Sequence, residues 1–451
     1  MFAYDSVILA RMLTSMTLVF HIIFATIGVG VPLLISAAEY VGIRKRDPSY
    51  ILLARRWTRG FVIIVAVGVV TGTAIGLQLF LLWPTFMQIA GHVISLPLFM
   101  ETFAFFFEAI FLGAYIYTWD RFKGRYTHWY LSLPVIIGGG MSAVFITSVN
   151  AFMNTPQGFT LEGRTIMSVE PLKAIWNPAT PSKVFHVLTS SYMTSAAILA
   201  AITAFFILKY GNNKYYKKAL KLTMIVTLVF SIFTAIAGDT SAKFLATYQP
   251  EKLAAAEWHF ETEKGADLIL FGRLTEDNEI KGAIHLPKIL SFLSFGDFNS
   301  EVIGLDRVDA DLIPPLWIHY MFDLMVTLGA YSIMISMLFL LFMFWKKRDQ
   351  YNKWVLRAIV VNAPFALLAL EFGWIYAEVG RQPWIMRGYL RVAEGAVSSP
   401  YVHYAFAMFL VLYVLLGTFV TLILVRLYKK NPIQKEWEQR FPDTLFGGDQ
   451  R

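Results

Sequence analysis

Nine long apolar segments, separated by short polar connections, organise this chain. A helix that crosses a bilayer needs about 20 mainly apolar residues, and each segment meets that length. The pattern therefore predicts an all-α, polytopic membrane helix bundle with nine transmembrane helices. The predicted spans are residues 7–39, 59–83, 95–118, 129–151, 185–208, 219–238, 316–344, 355–378 and 402–426.

Basic residues concentrate in alternate connections between these spans. By the positive-inside rule, the rich connections face the cytoplasm, which predicts an outer amino terminus and a cytoplasmic carboxyl terminus. The rich set is Arg44, Lys45, Arg46, Arg55, Arg56, Arg121, Lys123, Arg125, Lys209, Lys214, Lys217, Lys218, Lys221, Lys346, Lys347, Arg348, Lys353 and Arg357. The sparse set is Arg164, Lys173, Lys183, Arg381, Arg387 and Arg391. The first apolar segment has no basic region before it and runs to full span length, so we do not expect a cleaved signal peptide.

One connection differs from the others in length and polarity. Residues 239–315 form the only long hydrophilic stretch, and the charge pattern places it outside. Its Ala-rich piece KLAAAEWHFETEK favours a helix. We therefore predict one membrane domain over residues 1–451, with residues 239–315 inserted as an external loop between helices six and seven. The run Gly138, Gly139 and Gly140 would permit a close helix contact in span four.

Composition agrees with a membrane protein and narrows the chemistry. Hydrophobic residues make up 57% of the chain and charged residues only 16%, with a mean hydropathy of +0.55. The absence of cysteine excludes disulfides, thiolate-bound zinc, Cys-ligated iron–sulfur clusters and thioether-attached haem, so a metal would be held by His, Met or carboxylate. The net charge of +8 belongs to the connections on one side, and no nucleic-acid partner is needed to explain it.

Four glutamates fall inside predicted spans, in two pairs with the same spacing. Glu101 and Glu108, like Glu371 and Glu378, are seven residues apart, so each pair lies on one helix face about 10 Å apart. A charge at a helix centre costs roughly 2.5 to 3.5 kcal/mol on insertion scales, which favours a functional role. That role would be proton transfer, or one metal ligand with one proton donor. The alternative is an ion pair with a buried cation, for which Arg11 and Arg381 are available.

Histidine and methionine provide candidate metal ligands. His186 lies at the outer end of span five, and Met325 lies about 13 Å below the same face in span seven. Together they could form the axial pair of a low-spin haem, although an interfacial histidine and a packed methionine are the alternative. His21 lies mid-span, where it would either bind a metal or bond to a backbone carbonyl of a neighbouring helix. We expect His92, His128, His319 and His403 to lie at the membrane interface.

Three segments carry a resemblance to a known family. They are METFAFFFEAIFLGAYIYTWDRF at 100–122, GDTSAKFLATYQPEKLAAAE at 238–257 and EFGWIYAEVGRQPW at 371–384. Together with the early span that holds His21, they resemble subunit I of cytochrome bd-type quinol oxidases. The resemblance covers essentially the whole chain.

This resemblance implies three haems and assigns candidate residues to them. His186 and Met325 match the axial ligands of a low-spin haem b. His21 and Glu378 match the ligands of a high-spin haem b and a haem d, in an order that the sequence leaves open, and haem b at both high-spin sites is an alternative. Arg381 matches a cation that could pair with haem propionates. Trp374 would pack against a haem face, or serve as an ordinary core aromatic residue.

The resemblance also assigns the substrate and proton sites. Lys252 and Glu257 match the residues that bind quinol in the external loop, although their local pattern alone reads as an exposed helix pair. Glu101 and Glu108 match glutamates associated with proton delivery or haem contact. Two features depart from the family pattern. Asp323 stands where we expect Arg, two residues before Met325, and the external loop is short after KLAAAE, which leaves the quinone preference open.

The implied function is that of a terminal oxidase in the plasma membrane of a prokaryote. Quinol would be oxidised at the outer side, and O2 would be reduced to water with cytoplasmic protons, which generates a proton motive force without pumping. The implied partners are a second large membrane subunit and a small single-span subunit. The alternative is a proton-coupled secondary transporter or channel without a redox cofactor, which predicts inverted repeats that the sequence does not display.

Overall fold

The computed structural model describes residues 6–163, 165–345 and 351–441. Nine helices in these ranges are long and apolar enough to cross a membrane, which confirms the predicted fold class. Four basic residues of the charge pattern, Arg164, Lys346, Lys347 and Arg348, lie outside the described residues. The nine helices are α1 (Ser6–Lys45), α2 (Pro48–Leu82), α3 (Pro84–Tyr117), α5 (Ser132–Asn154), α7 (Thr180–Tyr210), α8 (Lys214–Tyr248), α11 (Ile318–Phe344), α12 (Lys353–Val379) and α14 (Val402–Lys430).

Shorter elements connect these helices. The short helices are α4 (Thr127–Tyr130), α6 (Pro171–Ile175), α9 (Pro250–Ala256), α10 (Ile289–Phe295), α13 (Val392–Gly395) and α15 (Ile433–Arg440). The strands are β1 (Thr160–Glu162), β2 (Thr165–Met167), β3 (Glu263–Lys264), β4 (Leu268–Leu270), β5 (Arg273–Leu274), β6 (Ile280–Lys281), β7 (Ile284–Leu286), β8 (Glu301–Val302), β9 (Trp384–Met386) and β10 (Leu390–Arg391). They pair as antiparallel β1–β2, β3–β8, β4–β7, β5–β6 and β9–β10.

Several helices extend further than the apolar pattern predicts. Helix α2 begins at Pro48 rather than 59, and α3 begins at Pro84 rather than 95, so the expected loop at 84–94 is wrong. Proline is well tolerated at the first helical position, and the side chain of Asp47 caps α2 by accepting from the Ser49 N–H at 3.0 Å. The length of an apolar run shows only the part of a helix that crosses the lipid. The helical backbone continues beyond that part.

The spanning helices form two packed groups. In the first group, α7 and α11 each pack against both α8 and α12, so the four helices make a ring in which α7 and α11 occupy opposite corners. The second group contains α1, α2, α3, α5 and α14. Helix α1 packs against α7 and joins the two groups.

The predicted close helix contact in span four occurs between α5 and α3. A methyl group on Gly138 would lie 2.8 Å from both the Cβ and the backbone nitrogen of Glu108. At Gly139 it would lie 3.2 Å from Oε2 of the same glutamate. The glycine run therefore lets α5 approach the backbone of α3 beside a buried carboxylate.

The polar segment between α8 and α11 folds onto the first group of helices. It begins after Tyr248 rather than at 239, because α8 continues for ten residues beyond the predicted span. The Ala-rich piece is helical only to Ala256, and Trp258 then takes a positive φ of 48°. Leu253, Leu290 and Ile318 share one buried apolar cluster with Tyr376 of α12. The segment is thereby held against the ends of α8, α11 and α12.

Candidate functional site

His186 and Met325 lie on the two opposite helices of the four-helix ring. His186 is on α7, and Gly238 of the adjacent α8 faces it, since a methyl group there would lie 3.9 Å from Cε1. Met325 is on α11, and Gly373 of the adjacent α12 faces its thioether, since a methyl group there would lie 2.9 Å from Sδ. Each candidate ligand therefore has a glycine beside it on an intervening helix.

His186 is half-buried, and one side of its ring has no polar compensation. Its Nδ1 atom is fully buried and has no hydrogen-bond partner within the described ranges. An unpartnered buried polar atom is costly, and such exceptions in native structures point to strain, function, or a missing ion or water. The ring suits a ligand that would be satisfied by a bound metal.

His21 forms one hydrogen bond, and it is to a side chain. Its Nδ1 lies 2.8 Å from Oγ1 of Thr71 on α2. The Thr71 hydroxyl donates its only proton to the carbonyl of Val67 at 2.8 Å, so it accepts from the His21 Nδ1–H. The neutral ring then has its lone pair on Nε2, which makes no hydrogen bond to any described residue. The backbone-carbonyl partner considered from sequence is therefore not the one found.

Glu378 lies in a polar cluster at the end of α12. Its Oε2 accepts from Nη2 of Arg381 at 2.6 Å, and its Oε1 accepts from the Asn150 side chain. Lys183 donates in turn to Oδ1 of Asn150 at 2.9 Å. The ion pair considered as an alternative for this glutamate is therefore formed. The Nε and Nη1 atoms of Arg381 are buried without a partner in the described part of the chain.

Lys252 is not the exposed residue that its local pattern suggested. Only 3% of it is exposed, and its Nζ donates to the carbonyl of Ala377 at 3.0 Å and lies 4.6 Å from the centre of the Tyr376 ring. Burial lowers the pKa of the Lys252 ammonium to about 7, with Glu378 opposing the change and Arg381 adding to it. Lys252 therefore joins the cations around Glu378.

Glu257 is also buried, with 2% of it exposed. Its Oε2 has no hydrogen-bond partner among the described residues. Burial raises the pKa of Glu257 well above its usual value, and the nearby Asp323 carboxylate adds to the increase. Burial therefore favours the protonated form of this side chain, which can donate a proton or a hydrogen bond.

The other candidate glutamates have different partners. Oε1 of Glu101 accepts from the Ser142 hydroxyl at 2.9 Å, whereas Oε1 of Glu108 is buried without a partner in the described ranges. Both oxygens of Glu371 are likewise buried and unpartnered there. Arg11 is exposed and makes no ion pair with a described residue, so it does not neutralise any of these glutamates.

Two of the histidines expected at the membrane interface are buried within the protein, and the membrane depth of all four stays a prediction. His128 bonds to Glu39 through Nδ1 at 2.6 Å and to the carbonyl of Tyr115 through Nε2 at 2.8 Å. His319 is completely buried. His92 and His403 are exposed, and Trp374 is half-buried on α12.

Sequence reasoning missed three polar residues of the site. Thr71, Asn150 and Lys183 provide the partners of the candidate ligands His21 and Glu378. Asn150 lies within a predicted span, and an amide at that depth is a signal that could have marked it. Thr71 gives no comparable signal, because threonine in a membrane helix commonly bonds to its own backbone.

The comparison with family models identifies one family. Residues 9–432 match the model described as cytochrome bd terminal oxidase subunit I. The match covers the nine spanning helices of the described ranges, apart from the first three residues of α1.

Curated relatives and a solved structure agree with this match. A putative cytochrome bd menaquinol oxidase subunit I of Bacillus subtilis is 38% identical over 96% of this chain and 98% of that protein. A cytochrome bd ubiquinol oxidase subunit 1 of the same organism is 31% identical over 95% of this chain and 94% of that protein. The structure of bd oxidase from Geobacillus thermodenitrificans is 56% identical, with a TM-score of 0.92, over 96% of this chain and 100% of the solved chain.

Proposed function

Because the chain belongs to the cytochrome bd terminal oxidase subunit I family, we propose that it oxidises membrane quinol at the outer side and reduces O2 to water with cytoplasmic protons. Charge separation across the membrane would then generate a proton motive force without a pump. The family assignment removes the secondary-transporter alternative, since the relatives are oxidoreductases. The two relatives are named for different quinols, so the choice between menaquinol and ubiquinol stays open.

The residues of the four-helix ring fit a low-spin haem b. His186 would ligate from α7 and Met325 from α11, because they lie on opposite helices and glycines face both of them. This arrangement is the single observation that carries the proposal. A cysteine-free chain suits non-covalent haem held by imidazole and thioether.

His21 and Glu378 fit the two high-spin sites. The hydrogen bond to Thr71 leaves Nε2 of His21 as an electron-pair donor. Glu378 would have to exchange part of its contact with Arg381 and Asn150 for iron. The unpartnered guanidinium atoms of Arg381, with Lys183 and Lys252 nearby, suit carboxylates such as haem propionates. We propose one haem b and one haem d here, with haem b at both sites as the alternative.

Bound haems would supply one-electron transfer and the reduction of oxygen. The residues of this chain would bind quinol and move protons. Glu257 would exchange protons with the quinol oxygens, and the Lys252 ammonium would orient them. On the other side, Glu108 would hold a proton at Oε1, which has no partner among the described residues, and pass it towards Glu101 about two turns away.

The orientation and the partners complete the proposal. The amino terminus would lie outside and the carboxyl terminus in the cytoplasm, as the basic connections indicate. The protein is a multi-pass component of a prokaryotic plasma membrane and one subunit of an oligomeric oxidase. We propose a second large membrane subunit and a small single-span subunit as its partners.

The test is a reduced-minus-oxidised absorption spectrum of the purified oxidase, with quinol-dependent oxygen consumption measured beside it. We expect a low-spin haem b signal, and a band much further to the red if a chlorin-type haem d is present. Met325→Leu should abolish the low-spin signal while keeping the packing volume. The exposed Met334→Leu on the same helix is the control. An unchanged spectrum of Met325→Leu would remove this residue from the ligand set, and a colourless wild type would overturn the function.

A further inference from the structure

His319 is a completely buried histidine surrounded by hydrogen-bond acceptors. Its Nδ1 lies 2.7 Å from the carbonyl oxygen of Ala256, at the end of α9. Its Nε2 lies 3.1 Å from the carbonyl oxygen of Phe271 and 3.3 Å from Oδ2 of Asp323. A carbonyl oxygen can only accept, so each ring nitrogen satisfies its neighbours only by donating. A ring that donates from both nitrogens is an imidazolium.

The counter-charge of this imidazolium is Asp323, one helical turn later on α11. Asp323 is 2% exposed, and its Oδ2 also accepts from the backbone N–H of Phe271 at 2.5 Å. Glu257 is the other acid near Asp323, and burial raises its pKa well above the usual value. Asp323 is the acid in contact with His319, so it is the counter-ion of the ring that donates from both nitrogens.

An aromatic face adds to the stabilisation of the positive ring. Trp258 stacks on His319 with ring centroids 3.8 Å apart and an interplanar angle of 22°. The negative face of an indole attracts a cation that lies over it. The Trp258 ring is itself fixed, because its Nε1–H donates to the carbonyl of Leu316 at 2.9 Å.

We propose that His319 is a buried imidazolium that forms an ion pair with Asp323 and is a positioning residue for the quinol site. It ties three elements together: the end of α9 next to Glu257, the turn at Phe271, and the helix that carries Met325. The effect on quinol rests on the proposed function, whereas the ion pair does not.

The charge state can be measured directly in the intact oxidase. With ¹⁵N-labelled histidine, we expect a doubly protonated ring at neutral pH whose signal disappears in His319→Gln, whereas any such signal from His128, which also faces two acceptors, remains. His285→Gln is the matched control, because His285 is exposed on β7 of the same polar segment. If the signal assigned to His319 is that of a neutral ring, the proposal is overturned.

A double-mutant cycle in the thermal midpoint tests the ion pair without reference to haem or quinol. Asp323→Asn should lower the midpoint in the wild-type background, because it leaves a buried cation without its partner. The same substitution should raise the midpoint in the His319→Gln background, because it removes a carboxylate that has lost its counter-ion. An increase or no change in the wild-type background would show that no charge pair exists.

Quinol kinetics test the positioning role. His319→Gln should raise the KM for quinol about tenfold, the effect of one lost charge-assisted hydrogen bond, with a smaller change in kcat. His285→Gln should leave both values at wild type. A wild-type KM in His319→Gln, in an oxidase with normal haem content, would overturn the positioning role. An oxidase that lacks haem or quinol turnover would instead contradict the proposed function. The ion pair would then be decided by the ¹⁵N signal of His319 and by the double-mutant cycle.

Discussion

Met325 reaches its position only because the residue opposite it has no side chain. A Cβ at Gly373 would lie 2.9 Å from Sδ, closer than side-chain carbons come to one another in folded proteins. Packed cores do not absorb such an overlap without a shift of the side chain or the backbone. The thioether of Met325 is therefore located by α12 as much as by its own helix.

Gly373→Ala should consequently weaken the low-spin haem signal. The added methyl group displaces the Met325 sulfur from the interior of the four-helix ring. We therefore expect the reduced-minus-oxidised signal of the low-spin haem to fall or shift. Gly329→Ala is the matched control, since Gly329 is on the same helix as Met325 and a methyl group there meets no atom within 4 Å. Identical spectra for the two variants would argue that Met325 does not ligate iron.

Lys252 differs from a surface lysine in the pH range over which it holds its charge. Burial lowers the pKa of its ammonium to about 7, so the protonated form is present below that pH and is lost as the pH rises through it. A contact between the ammonium and a quinol oxygen would weaken over the same range.

We expect the KM for quinol of the wild-type oxidase to rise as the pH increases through about 7. Lys252→Met removes the ammonium at every pH, so its KM should be high throughout and lose this dependence, with a smaller change in haem content. Oxygen consumption measured at several pH values gives the result. Lys264→Met, at an exposed position on β3, should keep the wild-type profile. A parallel pH profile for Lys252→Met would exclude this lysine from quinol binding.

At the scale of elements, the contact between α3 and α5 depends on glycine backbone. Gly138 lies against the Cβ and backbone nitrogen of Glu108, so an added methyl group meets main-chain atoms that cannot rotate away. Alanine is the better helix former by about 1 kcal/mol, and it would stabilise the helix if space allowed. Here the overlap is with backbone, so overpacking outweighs the gain in propensity.

Gly138→Ala should therefore destabilise the protein, by about 1 to 3 kcal/mol. Gly140→Ala, two residues later, should be neutral or slightly stabilising, since its nearest neighbour would be the Tyr192 hydroxyl at 3.9 Å. The midpoint of thermal inactivation of the detergent-solubilised oxidase compares the two. Equal midpoints for the two variants would mean that α3 and α5 can move apart with little loss of stability.

The number and order of the spanning helices could be predicted from apolar length alone, because lipid admits few other structures. Their ends could not. Residues 84–94 and 239–248 are helical, although their polarity suggested connections. Helical hydrogen bonds do not stop where the hydrocarbon stops, and proline at the first position of α2 and α3 is compatible with the helix.

The same limit applies to the candidate site. His186, Met325 and the glutamates could be chosen from sequence, because polar and ligand-type residues are rare inside apolar runs. The burial of Lys252, Glu257 and His319 could not, because it depends on how a polar segment folds back onto distant helices. The residue pattern along one helix does not show which distant segment will bury it.

At the scale of the whole molecule, the last described helix, α15, is bound to α2, near the start of the chain. Glu436 of α15 forms ion pairs with Arg56 and Arg59 of α2 and is 6% exposed. Arg56 also donates to the carbonyl of Asn431 at 2.8 Å, and the Tyr428 hydroxyl donates back to the Arg56 carbonyl at 3.1 Å. Helix α15 is thus attached to α2 by one buried carboxylate and several hydrogen bonds.

Glu436→Gln should lower the thermal midpoint, because it leaves Arg56 and Arg59 without the buried carboxylate that neutralises them. Breaking such a pair costs about 3 to 5 kcal/mol when both partners are buried, and the partly exposed Arg59 brings the expected value to the lower end. The spectrum of the bound haems should not change. Glu438→Gln, on the exposed face of the same helix, serves as the control and should match the wild type.

The polar segment leaves the membrane bundle at Tyr248 and returns at Ile318, and the two helices that it joins pack against each other. Both ends of the segment are therefore fixed by two packed helices, whatever the number of residues between them. Insertions or deletions beyond α9 can accumulate during evolution without altering the helices that carry the candidate ligands. Under the proposed assignment, the quinol preference can therefore diverge between relatives while the helices that would hold the haems stay the same.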